Sequence, residues 1–326
     1  MGRILRGRIT QLVPLPPIRT NSEGDQLMRE KTATSPLKRC SWGPLCLAIA
    51  CLATPALAAG EPAGQLTEQI TPNGSVNWTT GVATATGLGV PPHNPVSAIQ
   101  SKEMTRIAAW SVALRNLLEV VKGIQVDSHT TVQNYVTTST EVQTRVEGLV
   151  QGAKLVGERE LPTGEFETTV QIKLAGQLSE SVIPKGPKVT SPNMRYQQVP
   201  PPAKPKVPFT GLVIDARGTG ARAALAPRIV TQEFEIYGPD RVEKKFISGP
   251  AVAEPGRIAW YFTDQAKAQE HYKVIANPLI IKALRATGEN NTDLVIEESK
   301  AEYIEALPEH HAFLTQAKVL ILVDPM

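Results

Sequence analysis

The sequence predicts an α+β protein in two parts. A two-layer domain of helices on a small antiparallel sheet comes first, joined by a Pro-rich linker to a mixed α/β domain. Three observations predict it. Helix-period and strand-period stretches follow one another between Ser97 and Leu174, prolines punctuate the run from Ser181 to Pro208, and short β-rich runs alternate with helical ones thereafter. The resulting boundaries are a leader over 1–58, a first domain over 59–180, a linker over 181–208 and a second domain over 209–326.

The leader explains the charge. Eight of the 34 basic and three of the 31 acidic residues precede Ala59, which leaves 26 basic against 28 acidic beyond it. A near-neutral remainder lacks the basic footprint of a nucleic-acid binder. Lys38-Arg39, the apolar run Leu45–Ala53 and then Ala56-Leu57-Ala58 have the form of a signal peptide, with cleavage between Ala58 and Ala59. As a membrane anchor the run falls well short of the roughly 20 residues that span a bilayer. Met28 is an alternative start. All three cysteines, Cys40, Cys46 and Cys51, precede the cleavage site, so the processed chain carries no thiol, disulfide or cysteine-held metal. Lipidation at Cys51 is the competing reading, and Ala48 stands where such signals usually place leucine.

In the first domain, Ser75–Trp78 and Val82–Thr86 flank Thr79-Thr80-Gly81 as a strand pair. Trp78 is either a ligand-stacking ring or a buried sheet residue. Pro92-His93-Asn94-Pro95 breaks the chain, and Ser97 with Gln100 fits a capping box that opens a long helix. Met104, Ile107, Ser111, Leu114, Leu118 and Val121, widened by Ala108 and Leu117, form its apolar stripe, which predicts that this stripe faces the core. Ile124–Val136 reads as extended. A second helix opens at Thr138 with Glu141 and closes at Gly152. A hairpin then turns at Pro162-Thr163-Gly164, with Phe166, Thr168, Val170, Ile172 and Leu174 on one buried face.

Several stretches of this domain together resemble a known family. They are Ala108-Ala109-Trp110, Leu117 through Val126, Thr130-Thr131-Val132, Val146-Glu147-Gly148 and Gly152-Ala153. Their order is similar to the LPP-type envelope lipoprotein family and to the related N-terminal domain of flagellar assembly protein T. The resemblance covers roughly Gly74 to Gly176. It implies a secreted, non-catalytic envelope module, in some members linked to the flagellar base, and it brings no catalytic residues.

Prolines 184, 187, 192, 200, 201, 202, 205 and 208 make the linker a semi-rigid spacer, with Pro200–Lys206 as a candidate docking peptide. Beyond it, Phe209–Asp215 reads as a strand that runs into Arg217-Gly218-Thr219-Gly220 and Arg222. Asp215, Arg217 and Arg222 are therefore candidate ligand-binding residues, although no third glycine or Gly-Lys-Thr/Ser supports a nucleotide. The plainer reading is a loop held by charge-assisted bonds. Thr263–Tyr272 and Ser299–Ala306 read as helices, the first capped by threonine. Strands are expected at Phe234–Tyr237, Gly256–Phe262, Leu279–Leu284, Leu294–Ile296 and Val319–Val323. Gly211–Gly218, Ala226–Ile229 and Asn277–Leu279 also look like a second domain found behind the first in uncharacterised envelope proteins.

His93, His129 and His271 are isolated, His310-His311 are expected in a loop, and Glu297-Glu298 at a strand end. No metal-ligand spacing, nucleophile motif or cofactor site emerges, so no metal and no cofactor are expected. The expectation is a non-catalytic periplasmic protein that assembles with envelope or flagellar-base proteins, at the outer-membrane periphery. The alternative is a periplasmic small-ligand binder that uses Asp215–Arg222.

Overall fold

The computed structural model describes residues 64–95, 97–183, 207–243, 246–247, 256–271, 276–307 and 310–326. The expected leader with Cys51, its expected cleavage site at Ala58 and Ala59, and prolines 184–205 of the expected linker lie outside them. The protein is α+β, as its sequence predicts. The described residues belong to one compact unit, Ala58–Met326.

The first half is a five-stranded antiparallel sheet under helices. Its strands are β1 (Thr67–Thr71), β2 (Gly74–Asn77), β3 (Val82–Gly89), β4 (Lys154–Glu160) and β5 (Phe166–Lys173), in the order β1-β2-β3-β5-β4. Period-two alternation works here as expected: Phe166, Thr168, Val170 and Ile172 are buried on one face of β5, opposite Gly89, Gly87, Ala85 and Ala83 of β3. Helix α1 (Ala98–Gly123) lies across that face, and Ser97 caps it by accepting from the Gln100 amide at 3.1 Å.

The expected stripe of α1 holds at its downstream end, where Leu117 and Val121 are buried, and fails upstream. The buried positions are Thr105, Ala109, Ala113, Leu117, Val120 and Val121, while Met104 and Ile107 stand in solvent. The reason is steric. A Cβ on Gly87 would strike the Ala109 carbonyl and the Ala113 amide, and one on Gly89 would strike Thr105 and Ala109 backbone. Over Thr105–Ala113 the helix therefore sits almost backbone-to-backbone on β3, and only small side chains fit beneath it there. Close approach outranks hydrophobicity in choosing the inward face.

Two further boundaries shift. Val132–Thr138 is a helix (α2) and not extended, because the Asn134 side chain accepts from the Thr131 amide and hydroxyl, each at 2.7 Å, and closes a first turn. Helix α3 (Thr140–Gln151) takes its cap from Ser139 and not from Thr138. After β5, α4 (Gln177–Val182) keeps the chain packed through Ile183, beyond the expected start of the linker.

The second half has two sheets. One is wholly parallel, β10-β6-β13-β9, from β6 (Gly211–Asp215), β9 (Trp260–Phe262), β10 (Pro278–Lys282) and β13 (Val319–Leu322). Its central strands are apolar runs buried on both faces. The other has the order β11-β12-β7-β8, from β7 (Ile229–Val230), β8 (Glu235–Tyr237), β11 (Arg285–Thr287) and β12 (Asp293–Val295). Helix α5 (Gln265–Glu270) is capped by Asp264, whose Oδ1 accepts from Ala266 and Lys267 amides, and not by Thr263. Helix α6 (Glu298–Ala306) places Glu297 and Glu298 at a helix N-terminus, not at a strand end. His310 and His311 begin α7 (His310–Thr315), not a loop.

The glycine contact gives a paired expectation. Gly87→Ala should cost about 3 kcal/mol through overpacking against helix backbone. Gly148→Ala, in α3 with open space around its Cα, should gain about 0.5–1 kcal/mol. Thermal denaturation of the two variants should move melting temperature in opposite directions; a common direction would contradict the close-approach argument.

Candidate functional site

The candidate loop leaves the carboxyl end of β6. Asp215 ends the strand and binds Arg217 through two parallel bonds, Nε to Oδ1 at 2.8 Å and Nη2 to Oδ2 at 2.7 Å. That fork holds the Asp215 carboxyl below the usual range and raises the Arg217 guanidinium. Gly218 and Gly220 adopt positive φ, and the Gly218 amide donates to Asp324 Oδ2 at 2.8 Å beyond β13. Arg222 turns elsewhere. Its Nη2 donates to Glu68 Oε1 of β1, in the first half of the chain. Thus Asp215 and Arg217 come together while Arg222 does not join them, and each arginine already holds a carboxylate.

Glu68 introduces a network that the sequence does not reveal. Its other oxygen accepts from Trp78 Nε1 at 2.8 Å, and the Trp78 ring meets Tyr261 edge-on with centroids 5.7 Å apart. Trp78 is 2% exposed, so it is a buried residue, in the turn just after β2, and not a free stacking platform. The Tyr261 hydroxyl accepts from the Ala224 amide and donates to the Ala224 carbonyl, each at 3.0 Å, while its burial raises its pKa. Thr79 Oγ1 donates to the Tyr261 carbonyl at 2.6 Å and accepts from the Leu66 amide at 2.9 Å.

Arg257 closes the arrangement. It donates to the Trp78 carbonyl and, at 3.1–3.2 Å, to the Thr79 carbonyl, and its guanidinium stacks 3.7 Å from the Trp260 ring centroid. Gly81 leaves it room, since a Cβ there would press on Nη1. Backbone bonds from Leu225 and Ala226 to Gln125 and Val126 extend the same seam. These partners lie about 100–180 residues apart in sequence, so no local motif announces them.

A second polar cluster lies where the Asp127–Tyr135 segment meets the β7-β8-β12 sheet. Burial raises the carboxyls of Asp293 and Glu235, with Arg228 as the opposing charge on both. Asp293 Oδ1 is buried without a hydrogen-bond partner. His129 is exposed 4.0 Å from Glu289, and His271 packs its ring 4.2 Å from that of Trp260. Among the described residues, no three His, Cys, Asp or Glu side chains converge as metal ligands. No described helix is long and apolar enough to cross a membrane. A recess of about 380 Å³ between α3 and α4 opens to solvent beside Thr144, Arg145, Leu149 and Glu180.

Exposed apolar side chains occur in both halves, and in the first they include two neighbouring pairs. Leu155 and Val156 stand out on β4, the edge strand, at a bulge. Met104 and Ile107 stand out on α1. Lys102 and Arg106 tie α1 to that edge strand through Glu160 at 2.7 Å and Glu158 at 2.8 Å.

Two expectations follow from the buried charges. Arg257→Ala should destabilise by roughly 2–5 kcal/mol, against less than about 0.5 kcal/mol for the exposed pair member Arg159→Ala, as read by denaturant melts. Asp293 binds its proton more tightly folded than unfolded, so that stabilising contribution is present at low pH and fades as pH rises through the folded-state value. Asp293→Asn should therefore gain on the wild type as pH rises from about 4 to about 8. A pH-independent difference between the two would contradict it.

No curated protein matches the chain. A family model described as Treponema pallidum Tp0624, second domain, matches residues 211–325, from the first residue of β6 to just beyond β13.

Proposed function

We propose that this chain is a non-catalytic periplasmic component of envelope or flagellar-base assembly, working through protein–protein contact. The observation that carries it is Leu155-Val156, two large apolar side chains held in solvent on β4, an edge strand of the first sheet. An open edge with apolar side chains is a template for another chain. The leader ending at Ala58 and the resemblance of Gly74–Gly176 to envelope modules supply the compartment. The small-ligand reading has weaker support, because Arg217 and Arg222 are committed to different carboxylates.

In the native cell, the protein is expected in the periplasmic fraction with Ala59 as its first residue. Chemical cross-linking there should yield an identified envelope or flagellar-base protein. Leu155→Asp with Val156→Asp should abolish that product while shifting stability by less than about 0.5 kcal/mol per site. Recovery from the cytosol with residues 1–58 attached, or a cross-linked product indifferent to the double substitution, would overturn the proposal.

A further inference from the structure

The stripe that α1 turns away from the sheet runs Gln100, Met104, Ile107, Ser111, Leu114, Leu118 and Val121, at alternating four- and three-residue steps. That is the spacing of a helix-pairing seam. Leu114, Leu118 and Val121 are drawn into the core where α2 and α3 pack on α1. Among the described residues, the upstream portion has no such cover. Met104 is 49% and Ile107 64% exposed. One seam thus has an occupied half and a vacant half.

We propose that a second copy of this chain fills the vacant half, with the two α1 helices antiparallel about a two-fold axis between Met104 and Ile107. Three features favour a second copy over an unrelated chain. First, Gln100-Met104-Ile107-Ser111 reads polar, apolar, apolar, polar in either direction. Antiparallel pairing sets Met104 against Ile107 of the other copy and Gln100 against its Ser111, which is the self-complementarity that a two-fold interface requires. The Ser111 hydroxyl already donates to the Ile107 carbonyl at 2.9 Å, so it is oriented to accept from the glutamine amide.

Second, the flanks suit the arrangement. On one side lies Glu103, an exposed carboxylate at the rim, since Arg106 is held by Glu158 of β4 at 2.8 Å. On the opposite side lie Ser101 and Ala108, small enough for close approach. Third, the pairing continues an interface the chain already makes, since the second α1 would prolong the row that α2 and α3 begin. The inference stands on this helix face and does not depend on the compartment or on the β4 edge.

Four seam residues occupy about 16 Å of helix, a short contact beside the roughly 800 Å² per partner of a standard interface. Association is therefore concentration-dependent. Sedimentation equilibrium of the full chain from about 1 μM to about 500 μM should show the mass rising from one chain toward two. Met104→Glu with Ile107→Glu should weaken association at least about tenfold, and Met104→Gln with Ile107→Gln should weaken it too. Both sites are exposed, and an unchanged melting temperature verifies the fold. Leu155→Asp with Val156→Asp should leave association unchanged. A single-chain mass at every concentration, or association that the α1 substitutions do not alter or that the β4 substitutions abolish, would overturn it.

Discussion

The near-contact of α1 with β3 is the constraint from which the rest of the first half follows. Two glycines, Gly87 and Gly89, remove the side chains that would normally hold a helix about 10 Å above a sheet. The helix sinks, Thr105, Ala109 and Ala113 become its buried face over these glycines, and Met104 and Ile107 are rotated outward, while Leu117, Val120 and Val121 stay buried further along. The downstream ones are recovered beneath α2 and α3; the upstream ones are not. Asn116 adds a polar fastener, its amide donating to the Thr86 carbonyl at 2.6 Å on the same strand. A single steric decision in a strand therefore sets both the core and the exposed surface of the helix above it.

The two halves are joined by a different kind of contact. Glu68, Trp78 and Thr79 come from the first half, and Arg222, Tyr261 and Arg257 from the second half. Each polar atom in that set that the bonds above describe is matched with its neighbour. Buried polar groups are costly singly and specific collectively, because a shift of one partner leaves the others unsatisfied. Such a seam fixes orientation in a way that a purely apolar one does not. It also accounts for the quiet behaviour of the candidate ligand loop: Arg222 serves the seam, and Arg217 is held by its own strand-terminal aspartate.

Much of the fold is legible in the sequence, and the illegible part has one cause. Local signals read correctly: the Ser97 cap, the turn at Thr79–Gly81 and the alternation from Phe166 to Ile172 each depend on neighbours within a few residues. The inward face of α1 does not, since it is decided by glycines on a strand that the helix meets only in space. The Val132–Thr138 helix was hidden because β-branched residues favour strands, and the Asn134 cap overrides that preference. For the candidate site, the Asp215–Arg217 pair lies two residues apart and is visible as a charge pair. The Arg222–Glu68 pair spans 154 residues and leaves no trace along the chain.

In the parallel sheet, β13 comes after every other strand in sequence and yet lies between β6 and β9. Until Val319–Leu322 has been synthesised, those two strands have no common neighbour and their apolar faces no closure. Completion of this half thus waits on a non-local pairing, that of β13 with both β6 and β9. That order of events leaves the apolar strands of this half without their shared central neighbour until a single long-range pairing is made, whereas β2 and β3 pair across a turn of a few residues.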